Sequence, residues 1–148
     1  MDVQGPFKLR DYVHTQTSDG YNRGLGVIDV YGTFIPICRL FHGSRLHNGA
    51  TIDFTGYGAS VPLPLPTVAL FAASQAGDKT LRFEPGATIG VKLGAREVEK
   101  GTRVISWDSE TAPDTTVRFV CDDTDKKYKL VKKSDGLYLY RGFSMIVR

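Results

Sequence analysis

One short stretch that returns within the same chain most constrains what these 148 residues can build. Asp78-Lys-Thr-Leu-Arg-Phe83 reappears 36 residues later as Asp114-Thr-Thr-Val-Arg-Phe119, and each copy precedes a second matching stretch, Val91-Lys-Leu93 and then Tyr128-Lys-Leu130. Apolar and polar residues alternate in these stretches, which is the period of a strand with one buried face. Strand pairs that recur at an interval of about 36 or 37 residues point to one all-β domain made of similar units. A smaller echo, Gly49-Ala-Thr-Ile52 returning as Gly86-Ala-Thr-Ile89, is the one such feature that reaches into the first half.

Helical periodicity is nearly absent, and short apolar runs alternate with Gly, Pro, Asn and Asp clusters along the whole chain. The pattern predicts strands at 7–14, 25–31, 33–41, 50–55, 79–84, 87–93, 102–107, 115–121, 127–133, 136–140 and 143–147. The strand at 33–41 is apolar on both faces and is expected to lie deep. Segment 67–76, between Pro66 and Gly77, fits a short helix or a buried strand equally well. Ahead of it, Val61-Pro-Leu-Pro-Leu-Pro66 is expected to be an extended, polyproline-like loop. Lys127, Lys129, Val131 and Lys133 share one face of a hairpin that turns through Ser134-Asp-Gly136, so the hairpin exposes mainly its lysines.

The length and the 41% hydrophobic content suit a single domain, 1–148, with one core. The N-terminus has neither a basic region nor an apolar run of the secretory type, and no window approaches the ~18 apolar residues of a membrane span. A cytoplasmic protein with no membrane partner is the expectation. Cys38 and Cys121, 83 residues apart, form no disulfide framework. Residues 1–74 carry 5 Lys/Arg against 5 Asp/Glu, and residues 75–148 carry 14 against 11. The basic block Lys126–Lys133 directly follows the acidic Asp122–Asp125. Adjacent blocks of opposite sign cancel beyond a Debye length, which disfavours a nucleic-acid partner.

Gly5-Pro-Phe-Lys-Leu-Arg10 resembles the first strand of small cytosolic β-trefoil lectins and protease inhibitors. Val117-Arg-Phe119, Tyr128-Lys-Leu130 and Ser134-Asp-Gly-Leu-Tyr-Leu139 are together similar to one of their units. The resemblance implies a β-trefoil-like barrel of about twelve short strands that binds a glycan or a protein; a β-sandwich such as a jelly roll is the alternative. Ricin-type trefoil lectins carry Gln-x-Trp in their repeats, whereas the single tryptophan here is Trp107 in Ile105-Ser-Trp-Asp108, so no sugar-binding residue is carried over.

No catalytic signature emerges. Cys38, His42, His47 and Asp53 lack zinc-ligand spacing, and Asp122, Asp123 and Asp125 lack the glycine of a calcium loop, so neither a metal nor a cofactor is expected. Ser60 in Gly56-Tyr-Gly-Ala-Ser60 is not centred between glycines as a nucleophile elbow requires, and Gly77-Asp-Lys-Thr80 lacks the upstream glycine of a phosphate loop. A non-enzymatic binding protein is the expectation. Aromatic residues beside hydrogen-bonding groups suit sugars, whose apolar face stacks on a ring while amides and carboxylates take the hydroxyls. On that basis Trp107, Asp108, Tyr57 and Asn48 are the candidate ligand-binding residues of a lectin-like protein. Alternatives are a protease inhibitor acting through the proline-rich loop 60–66 and a structural subunit of a viral or cellular assembly.

Overall fold

The structure, a computed structural model, describes residues 2–16, 22–36, 43–55, 69–75, 79–93, 101–121 and 128–141. The chain opens with β1 (Asp2–Gln4) and β2 (Phe7–Gln16) and continues into β3 (Asn22–Val30) and β4 (Thr33–Ile35). It then runs twice through a three-strand circuit. The first pass is β5 (Gly43–Leu46), β6 (Thr51–Asp53) and β7 (Phe71–Ala72); the second is β8 (Leu81–Phe83), β9 (Thr88–Lys92) and β10 (Arg103–Ser106). Strand β11 (Arg118–Cys121) and the hairpin β12 (Tyr128–Lys133) and β13 (Gly136–Arg141) follow.

Corresponding strands of successive circuits pair in parallel. Strands β3, β5 and β8 stack in a first sheet, β4, β6, β9 and β11 in a second, and β7 and β10 in a third. Parallel neighbours need long connections, and here the other two sides of each coil supply them. This is the arrangement of a parallel β-solenoid. Antiparallel strands cover its ends: β1 on β4 and β2 on β3 at one end, and the β12–β13 hairpin on β10 at the other.

The all-β expectation holds, with no helix among the described residues. Those residues also contain no helix long and apolar enough to cross a membrane. In place of a closed barrel they show open sheets, stacked largely in parallel. The long echo lands on β8 in the first sheet and on β11 in the second, so its copies are not stacked equivalents. What they share is local: an inward–outward–inward pattern at Leu81-Arg82-Phe83 and Val117-Arg118-Phe119. The smaller echo marks the true repeat. Residues 47–50 and 84–87 form the same corner in consecutive coils, closed by Ala50 N–H to His47 O at 3.0 Å and Ala87 N–H to Glu84 O at 3.1 Å. Gly49 and Gly86 sit there at φ 85° and 78°, the left-handed position that a type II turn gives to glycine, and Pro85 fits the position before it. A third corner, closed by Val117 N–H to Asp114 O at 3.1 Å, stacks on the second through Gly86 N–H to Thr116 Oγ1 at 2.7 Å.

Within segment 67–76, described over 69–75, Phe71–Ala72 form the short strand β7 and no residue is helical. Strand 33–41 is shorter than expected: it ends at Ile35, before Pro36, which has no N–H to continue the ladder. Phe34 is nonetheless fully buried. Residues 37–41 and the strand expected at 143–147 lie outside the described residues, as does the loop 60–66.

Inside the coils, side chains in register form columns: Val30, Leu46 and Phe83; Phe34, Ile52 and Val91; Phe71, Ile105 and Leu137. All nine are buried, each worth about 1.5–3 kcal/mol relative to exposure. Phe83, Trp107 and Phe119 fill the interior toward the C-terminal end, with Trp107 and Phe119 stacked at 6.0 Å and Phe83 edge-on to both.

Candidate functional site

The outward residues of the first sheet form three rows across consecutive coils, about 4.8 Å apart as neighbouring strands must be. Asp29, Arg45 and Arg82 are in direct register. One residue-pair further along, at the corner, come Tyr31, His47 and Glu84; their backbones are linked by His47 N–H to Val30 O at 3.0 Å and Glu84 N–H to Leu46 O at 2.9 Å. In the opposite direction the row thins to Val27 against Gly43, with Thr80 preceding β8. The missing side chain at Gly43 leaves a groove of about 210 Å³ lined by Val27, Gly43, Ser44, Arg45, Thr80 and Arg82.

The corner is tightly organised. The Tyr31 ring, 37% exposed, stacks on the His47 imidazole with centroids 4.4 Å apart and planes at 15°. His47 Nε2 lies 2.8 Å from Asp29 Oδ1 and Nδ1 lies 3.3 Å from Glu84 Oε2. A carboxylate thus faces each ring nitrogen. Glu84 also accepts the Asn48 N–H at 2.9 Å. That backbone bond, then the His47 contact, holds the Glu84 carboxyl below the usual carboxylate range, with the charge of Arg45 adding to the effect. The two guanidinium groups, Arg45 and Arg82, line the groove, and the ring of Tyr31, the carboxylate of Glu84 and the Asn48 turn lie further along the same face at the corner.

Of the residues the sequence singled out, Asn48 lies at this corner. It is exposed, and its Oδ1 accepts Thr88 N–H at 2.9 Å, binding one coil to the next. Trp107 and Asp108 lie elsewhere, where the third sheet returns to the first. Trp107 is 6% exposed, packed among Phe83 and Phe119, and donates its indole N–H to Lys133 O at 3.1 Å, so its ring is a core element and offers no open platform. Asp108 Oδ1 accepts from the N–H groups of Glu110 and Thr111 and from the Thr111 hydroxyl, each at 2.9 Å. The Ser74 hydroxyl bonds it as well, and together these donors pull its carboxyl down to about 2. Its acceptor capacity serves the turn. Tyr57 lies outside the described residues. Cys38 and His42 are likewise outside them, and His47 is committed to Asp29 and Glu84.

The sequence did not bring Tyr31 or Arg45 forward. The corner at Tyr31 does not repeat the echo: Thr33 is in register with Thr51 and Phe34 with Ile52, so Gly32 falls opposite Ala50 and the glycine spacing of Gly49 and Gly86 is lost. Arg45 lies on β5, a strand whose Gly43-Ser-Arg-Leu46 has too little apolar character to be recognised from pattern alone.

Compared with known protein families, curated proteins and solved structures, the chain matches none of them.

Proposed function

We propose that this chain is a non-enzymatic, lectin-like carbohydrate-binding protein that takes a glycan along the outer face of the first sheet. The observation that carries the proposal is the Tyr31 ring, exposed at the corner of the face that carries the groove and backed by His47. The apolar face of a pyranose packs on such a ring, and Arg45, Arg82, Glu84 and the Asn48 turn supply donors and acceptors for its hydroxyls. A binding role fits the chemistry better than catalysis. Both nitrogens of His47 face carboxylates, which leaves neither to take a proton from a nucleophile.

The test is a glycan-array screen followed by titration calorimetry on the best hit, with Tyr31→Ala and Trp107→Phe compared with the unmodified chain. Tyr31→Ala is expected to weaken binding about tenfold, the loss of one ring contact worth ~1 kcal/mol or slightly more. Trp107→Phe is expected to leave affinity unchanged. A folded Tyr31→Ala variant with undiminished affinity would remove this face from the model, and a blank array would remove the reading.

A further inference from the structure

A second surface lies on the third sheet, away from the groove. Strand β13 alternates Leu137 and Leu139, both fully buried, with Tyr138 and Tyr140, which face outward. The register of β12 on β13 sets Val131 opposite Tyr138 and Lys129 opposite Tyr140, with Lys133 beside the turn on the same face. Antiparallel partners in direct register share a face, so two lysines and two tyrosines are gathered there. Arg103, in register with Tyr138 on β10, extends the cluster.

Lys133 is the organising group. Its ammonium donates to Tyr140 Oη at 2.6 Å and lies over the Tyr138 and Tyr140 rings, 4.4 and 5.1 Å from their centroids. A lysine held by a phenol and two ring faces has already lost much of the rotamer freedom that binding would otherwise remove. Among the described residues the negative charge on this face is Asp135, and it is in use: Arg103 Nη1 lies 3.1 Å from its Oδ2, and the Tyr138 hydroxyl donates to the same oxygen at 2.8 Å. Among the described residues no carboxylate lies within ion-pair distance of Lys129 or Lys133.

We infer that this face is an anion-binding site for an acidic polysaccharide, with Lys133 as the fixed cation and Lys129 as a second contact. The ligand is recognised by repeated carboxylate or sulfate groups, which meet the ammonium groups while the Tyr140 hydroxyl, an acceptor toward Lys133, donates its own proton to a neighbouring sugar oxygen. The geometry favours an acidic glycan over single-stranded nucleic acid. Non-specific single-strand binding relies on open aromatic faces for base stacking, and here Lys133 lies over the Tyr138 ring and against the hydroxyl end of Tyr140.

The experiment titrates the full chain with four probes at low and at physiological salt: dextran sulfate, polygalacturonate, uncharged dextran and oligodeoxythymidine. Lys129→Gln, Lys133→Gln and, as a control on β9 of the second sheet, Lys92→Gln are titrated alongside, with circular dichroism confirming the fold of each. Binding to dextran sulfate, polygalacturonate or both is expected, weakening as salt screens the charges. Which polymer binds separates sulfate from carboxylate recognition. Lys133→Gln is expected to lose about tenfold in affinity and Lys129→Gln a smaller factor, with Lys92→Gln unchanged. Equal binding to uncharged dextran, tighter binding to oligodeoxythymidine, or a loss that follows Lys92 but not Lys133 would each overturn the inference. Whether a glycan binds at the groove is read separately, from Tyr31→Ala.

Discussion

Gly90 and Thr51 offer a test of the coil stacking in which the sign of an effect changes. Thr51 on β6 is in direct register with Gly90 on β9. A Cβ placed at Gly90 would lie 2.8 Å from Thr51 Oγ1 and 3.5 Å from its Cβ and Cγ2. Only the hydroxyl is too close. Because Thr51 is β-branched, turning the hydroxyl away moves a stiff χ1, and overpacking of this kind costs about 1–3 kcal/mol. Gly→Ala at a position of ordinary backbone geometry contributes ~0.4–1 kcal/mol in the other direction by restricting the unfolded chain. Gly90→Ala alone should therefore destabilise by about 0.5–2 kcal/mol. In a Thr51→Ala background the obstructing oxygen is gone, and the same substitution should stabilise by ~0.4–1 kcal/mol. Urea unfolding of the four proteins of this cycle measures the coupling, expected at about 1–3 kcal/mol. Additive effects, or a stabilising Gly90→Ala in both backgrounds, would refute the parallel register of β6 on β9.

Three other outcomes follow from the same geometry. Lys132 Nζ donates to the carbonyls of Asp114, Thr115 and Val117 at 2.8, 3.0 and 2.9 Å, tying the hairpin to the last corner; Lys132→Met should lower the unfolding free energy by about 1–2 kcal/mol, read from the urea midpoint. Trp107→Phe should cost about 1–3 kcal/mol by the same measurement, since it removes the bond to Lys133 O and opens space beside Phe83 and Phe119. Glu84, Asp108, Asp114 and Asp135 all have carboxyls lowered by hydrogen-bond donors. Such groups add stability above their ordinary range and lose it as pH falls through their folded values, so the urea midpoint should drop from about pH 4 toward pH 2, where Asp108 titrates; a midpoint that stays level over that window would contradict the capping roles.

Local structure was more legible in the sequence than its assembly. Strands β2, β8, β9, β12 and β13 follow from alternation, β10 follows from its adjacent Val104 and Ile105, and Ser134-Asp-Gly136 announces the hairpin turn. Lys129 and Lys133 lie on its exposed face as alternation requires. Pairing was harder, because an inward–outward–inward triplet such as Leu81-Arg82-Phe83 reads the same whether its neighbour runs parallel or antiparallel. Strand β5 was hidden for a related reason: Ser44, 1% exposed, occupies an inward position between Ile28 and Leu81, where a column tolerates a small polar residue. Trp107-Asp108 drew attention as an aromatic beside a carboxylate, but composition cannot show that one is packed inside and the other spent on a turn. The corner position of Asn48 was legible, because an Asn-Gly pair favours a turn, and corners are where stacked coils bring side chains from different rungs together.

The most direct test of the account is nuclear Overhauser spectroscopy of the labelled chain across β6, β9 and β11. Parallel stacking predicts backbone contacts in the registers Ile52 with Val91 and Ile89 with Phe119, without the close Hα–Hα pairs that antiparallel neighbours produce. Strong Hα–Hα contacts between these strands, or contacts linking them as consecutive hairpins, would contradict the solenoid, and with it the stacking that sets Tyr31 on His47.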